Sequence, residues 1–242
     1  MISPFARYGL LLAVLCAILV GISGPGYRMG WWPLPVAFGL FRWTAYGAAA
    51  AIVIGIIAAV ITRPGGTRRG FGTALAAIVI GSATLVGPLT MMWRAKQVPP
   101  IHDITTDTDN PPQFVAVLPL RATATNPAAY GGPEIAAQQK KAFPHIAPLT
   151  LLLPPDQAFP RALALAQSMG WTIAGSSPAE GRIEATAITP FFGFRDDVVI
   201  RITAAPPGSR IDVRSVSRIG RSDVGVNAGR IERFLNKLRD NP

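Results

Sequence analysis

The chain has 242 residues, half of them hydrophobic, with 23 Lys and Arg against 13 Asp and Glu, for a formal net charge of +10. A mean hydropathy of +0.34 is too apolar for a basic soluble protein. The charge is also misplaced for nucleic-acid binding: +8 of it precedes Asp103, where no Asp or Glu occurs, and the rest of the chain carries only +2.

The acid-free part holds three apolar runs, residues 5–23, 44–62 and 71–93. Each is close to the roughly 20 residues a helix needs to cross the hydrocarbon layer. Trp31, Trp32, Trp43, Tyr46 and Trp93 lie near the run ends, where amphipathic rings favour the headgroup zone. Arg63, Arg68 and Arg69 crowd the loop at 62–70, which predicts a cytoplasmic loop and N-terminus and an external C-terminal domain. Arg28, Arg42, Arg94 and Lys96 fall on the other side and weaken that bias.

No small-x-small cleavage site precedes Gly24-Pro25-Gly26, so the first run reads as a retained span. Cys16, the one cysteine, can form no intrachain disulfide and reads as a packed apolar residue. Gly47, Ala51, Gly55 and Ala59 recur every four residues on one helix face. That stripe predicts close helix packing within the bundle, with self-association as its alternative use. No ionisable residue lies mid-span, which argues against transport.

Three regions follow: a transmembrane part over 1–97, a linker and docking segment over 98–148, and a soluble α+β domain over 149–242. The linker contains His102, Asp103, Asp107, Asp109 and Asn110, the densest acidic stretch in the chain. Asp107-x-Asp109-Asn110 partly imitates a calcium loop but lacks its turn glycine and terminal Glu. The ordinary reading is a turn-rich segment in which Asp and Asn bond local amides. The alternative is a weak metal site.

A short helix is expected from about Pro133, then a strand in the Leu-rich stretch at 149–153. A second helix, with Asp156 as N-cap, runs to Met169 and stops at Gly170. Four strands follow, marked by period-two alternation: one from Trp171, one around Ile183 and Ala185, one around Val198 and Ile200, one around Ile211 and Val213. This predicts an antiparallel sheet, apolar on one face and wet on the other, with helices covering the apolar face as a two-layer sandwich. A last helix from about Asp223 carries the stripe Val224, Ala228, Ile231, Leu235 and Leu238.

Residues 217–231 are unusual. Gly225 and Gly229 lie in the expected first turns of that helix, where glycine is costly, so another backbone is expected to come close. Arg218 and Arg221 precede the helix start, Asp223 is the expected N-cap, and Asn227 and Arg230 continue the group as a candidate anion or docking site. The acidic linker is expected to cross this helix start and place a carboxylate on Arg218 and Arg221.

The acidic linker, residues 143–149 (FPHIAPL), residues 181–202 and residues 217–231 together resemble the bacterial family catalogued as domain of unknown function 1499. The resemblance spans roughly residues 99–238. It implies a soluble domain commonly preceded by membrane spans. It implies no reaction and no catalytic residues.

The leading functional reading is a non-enzymatic envelope protein of the inner membrane that recognises a partner protein, a lipid headgroup or a small anion. No cofactor and no nucleic-acid partner is expected. An alternative is a metal-assisted hydrolase using Asp103, Asp107 and Asp109 near His102 or His145, with calcium or magnesium favoured by the oxygen ligands. Another is a membrane-complex assembly factor.

Overall fold

The computed structural model of the chain describes residues 2–240. Contacts divide it into two units, Met1–Trp93 with Phe191–Gly193, and Arg94–Pro190 with Phe194–Pro242.

The first unit contains helices α1 (Pro4–Arg28), α2 (Leu34–Ile61) and α3 (Phe71–Gln97). All three are long and apolar enough to cross a membrane, with mean hydropathy of 2.2, 2.3 and 1.9 over their most apolar 18 residues. They outrun the apolar stretches read from the sequence because backbone hydrogen bonding continues past the flanking charges at Arg28, Arg94 and Lys96. Helix α2 begins well before residue 44, where Pro33 and Pro35 supply the φ of a helix start. The small-residue stripe is used within the chain. A Cβ on Gly47 would stand 2.6 Å from Sγ of Cys16 on α1, and one on Gly55 would stand 3.1 Å from the Ala74 carbonyl on α3. Ala51 is fully buried between them in sequence.

The second unit is an α+β domain. Its six strands are β1 (Asp103–Thr105), β2 (Leu149–Leu151), β3 (Thr172–Ser177), β4 (Arg182–Ile188), β5 (Arg195–Ala205) and β6 (Gly208–Ser217). They form one antiparallel sheet in the order β1-β6-β5-β4-β3, and β2 pairs with the other stretch of the same β6 edge. Helices α4 (Gly132–Ala142), α5 (Pro155–Ser168) and α6 (Val226–Asp240) complete it. Ile183, Ala185, Val198, Ile200, Ile211 and Val213 pack against Phe159, Ala162 and Ala166 of α5 and Ile231, Phe234 and Leu235 of α6. Trp171 stacks on Phe234 with ring centroids 5.3 Å apart. Gln139 of α4 extends the β1 edge, accepting from the Thr105 amide at 3.0 Å and donating to its carbonyl at 2.7 Å.

Three local expectations are corrected. Helix α5 starts at Pro155 with Pro154 at the N-cap, and Asp156 sits inside its first turn. Helix α6 starts at Val226, so Gly225 precedes it with φ +79°, a conformation that favours glycine; a Cβ there would meet Val98 and Phe143 at ordinary contact, 3.6 and 3.9 Å. The second sheet face is not wet. A strap of residues 106–130 covers it, and Phe114 and Val117 form a small core with Val199 and Val216.

Candidate functional site

The covered face is polar because period two places Glu184, Thr186, Asp197, Asp212, Arg214 and Arg218 on it. Each charge meets an opposite one. Asp103 holds Arg214 through two bonds, Nε to Oδ1 at 2.9 Å and Nη2 to Oδ2 at 2.7 Å. The Phe114 and Tyr130 rings flank the same guanidinium, 5.0 and 5.4 Å away. Asp197 is fully buried and pairs with both Arg121 (2.5 Å) and Arg218 (2.8 Å), while Thr186 donates to it at 2.7 Å. Asp212 takes Arg201 at 2.9 Å and Arg210 at 3.1 Å.

Glu184 fastens the strap. Its oxygens accept from three consecutive amides, Val115, Ala116 and Val117, at 2.9–3.0 Å, and from Nε of Arg182 at 2.9 Å. Such converging N–H groups are what proteins offer to anions, and here a side chain of the same chain fills the place.

The linker does cross the start of α6, but through its backbone. The His102 carbonyl accepts from the Ser217 amide at 2.9 Å and from Nδ2 of Asn227 at 3.0 Å, and the Ile101 carbonyl accepts from the Asp223 amide at 3.1 Å. Its carboxylates go elsewhere than Arg218 and Arg221. Asp103 is with Arg214, Asp107 bridges Arg201 and Arg210 at 3.0 Å each, and Asp109 makes an exposed contact to Lys140 at 3.3 Å. Asp107 also accepts from the Asp109 and Asn110 amides, the turn chemistry expected of that segment. Burial pushes its carboxyl up, but those amides and the Arg210 and Arg201 charges outweigh it and hold the pKa below the usual value.

The group around α6 splits in the same way. Arg230 pairs with Asp196 at 2.5 Å and donates to Ser215 at 2.9 Å and to Asn227, so Asn227 and Arg230 belong to one buried cluster. Asp223 accepts from the Gly225 and Asn227 amides at 2.8 Å each and so occupies the helix start itself. Burial raises its pKa in spite of those bonds. Arg218 is buried on Asp197. Arg221 alone of the group is exposed.

The His102 ring lies 3.4 Å from the Arg221 carbonyl, and His145 lies 3.9 Å from Glu232. Among the described residues, no three His, Cys, Asp or Glu side chains are grouped to hold a metal ion. An open apolar pocket of about 580 Å³ lies between Pro155, Phe159, Pro160 and Leu163 of α5 and Pro178.

The sequence reading missed Arg214, Glu184, Asp197, Asp196 and Arg121. The available signal was the charge alternation in β4 to β6. It names the residues on a face but not their partners, because register is a tertiary fact.

The chain matches none of the curated proteins. A family model does match, over residues 103–238, which takes in β1 through most of α6 and more than half of the chain. The chain therefore belongs to the family described as protein of unknown function (DUF1499).

Proposed function

We propose that the chain is a multi-pass inner-membrane protein with a cytoplasmic N-terminus, whose extracytoplasmic α+β domain is a non-enzymatic binding module for an anionic partner. One observation carries the reading: the side chains of Arg221 and Arg195 stand exposed, with no hydrogen bond or ion pair among the described residues, while Arg121, Arg182, Arg201, Arg210, Arg214, Arg218 and Arg230 all hold carboxylates. The acids Asp103 and Asp107 are likewise committed to arginines, which leaves them poor groups for a hydrolase. Arginine presents planar paired donors suited to carboxylate or phosphate.

A photo-crosslinking residue at Ser222, in the full chain in its native membrane, tests this. An adduct that disappears in Arg221→Gln is expected. An adduct indifferent to that change, or no adduct at all, overturns the reading.

A further inference from the structure

Two of the unpaired arginines, Arg195 and Arg221, share one end of the sheet. Ile188 closes β4 opposite Arg195, the first residue of β5. The Arg195 carbonyl accepts from the Arg218 amide at 3.0 Å, and β6 leaves the sheet there towards Arg221. The strap ends at the same place: the Leu120 carbonyl accepts from Arg218 at 2.7 Å, and the Asn126 side chain donates to the Ser217 and Gly220 carbonyls at 3.0 and 2.9 Å. Large apolar side chains stand out in water around this end, with Leu118 47%, Leu120 53% and Ile188 46% exposed.

The acids next to the arginines in sequence are already engaged, Asp223 with the Gly225 and Asn227 amides and the two that follow Arg195 with arginines. Asp196 and Asp197 are buried and already paired with Arg230, Arg121 and Arg218. This end therefore combines exposed leucine and isoleucine with two arginines that hold no ion pair among the described residues. That combination fits the boundary between anionic headgroups and acyl chains, since a protein partner complementary to it would need apolar and acidic groups interleaved on one surface.

Chain connectivity supplies the reach. Helix α3 ends at Gln97 and β1 begins at Asp103, so five residues join a candidate span to the sheet. Fully extended they cover at most about 18 Å. Where α3 spans a bilayer, this tether limits how far β1 can stand from its surface.

We propose that this end of the sheet, with Leu118, Leu120 and Ile188 as the apolar contacts and Arg195 and Arg221 as the anion contacts, rests on the surface of an anionic lipid bilayer. The proposal rests on the binding-module reading and gives the partner as lipid.

The test uses the purified full chain in vesicles of phosphatidylcholine alone, or of equal parts phosphatidylcholine and phosphatidylglycerol. Leu120→Cys and Ile188→Cys are labelled with a membrane-impermeant, environment-sensitive fluorophore, with Ala179→Cys in the exposed turn at the opposite end of the sheet as control. Cys16 is buried, and the unsubstituted chain serves as the labelling blank. Quenching by a nitroxide lipid at headgroup depth is expected at positions 120 and 188 and not at 179, and more in the anionic vesicles. Arg195→Gln and Arg221→Gln should each cut the contacting population in anionic vesicles about fivefold, and inorganic phosphate should leave it unchanged.

Equal quenching at all three positions, or quenching indifferent to lipid charge and to both arginines, overturns the proposal. An Arg221-dependent crosslink to a protein, without lipid quenching, would overturn the lipid assignment and leave the binding module standing. Protection of the labels by phosphate alone would point to a free-anion site and overturn it too.

Discussion

Asp103 and Arg214 are 111 residues apart and form a two-bond ion pair in which the guanidinium side chain is 0% exposed and the carboxylate 7%. The pair joins the segment just after the third apolar helix to the centre of β6. Removing one partner strands a buried charge, which costs about 3–5 kcal/mol. Asp103→Asn and Arg214→Met should each destabilise the domain by that order, and the double change by much less than their sum. Hydrogen exchange of β6 amides in the full chain reads this directly. Additive losses would mean that the two side chains act separately.

The three long apolar helices and the strands after residue 149 are legible because their signals are local. Twenty apolar residues without acid leave few alternatives, and Ile183, Ala185 and Ala187 alternate with polar neighbours on a period of two. Strand β1 was not legible. It is three residues long and lies within acidic sequence, and its pairing with Arg214, Ser215 and Val216 exists only in the register. The charged face reads as wet from the sequence because Glu184 and Asp197 look solvent-bound. What reverses that is Val115–Val117 and Arg121, some 70 residues upstream, folding over them. For the candidate site, the sequence picked out the arginines before α6 but could not separate Arg218, buried on Asp197, from Arg221, left outside.

The hydroxyl of Tyr130 is buried and has no hydrogen-bond partner among the described residues, while its ring faces Arg214. Tyr130→Phe keeps the ring contact and removes an unsatisfied polar group. Stability at neutral pH should stay level or rise by up to about 1 kcal/mol, whereas Tyr130→Ala should lose the packing and fall. Burial, then the charge of Asp103, pushes the phenol up to about 12. An unfolded tyrosine ionises near 10. The folded value is the higher one, so this contribution is present below about pH 10 and is lost as pH rises towards 12. Pulse proteolysis across that window should show a shallower alkaline decline for Tyr130→Phe than for the parent. Identical slopes would count against the shifted phenol.

The loop holding Arg63, Arg68 and Arg69 lies on the same side as the N-terminus, where the Ser3 amide donates to the Arg69 carbonyl at 2.9 Å. Three spans with that loop in the cytoplasm put the C-terminus outside. Alkaline phosphatase fused after Pro242 should be active, and a cytoplasm-dependent reporter fused there should be silent. The reverse pattern would invert the orientation and place Arg195 and Arg221 against the inner leaflet.

Glu184 is 1% exposed and holds the strap through the amides of Val115, Ala116 and Val117, with Arg182 as its cation. Glutamine at this position keeps the size but turns one acceptor oxygen into a donor amide facing N–H groups. At least one strap amide is then left unpaired in a place water does not reach, at a cost of about 1–3 kcal/mol. The loss falls on the strap first, since β4 keeps its ladder to β3 and β5. Glu184→Gln should therefore speed exchange at amides 115–117 by about 5- to 100-fold while leaving β5 and β6 amides nearly as slow as before. Uniform acceleration across the sheet would show that Glu184 supports the whole domain. No acceleration would show that Phe114 and Val117, packed on Val199 and Val216, hold the strap without the carboxylate.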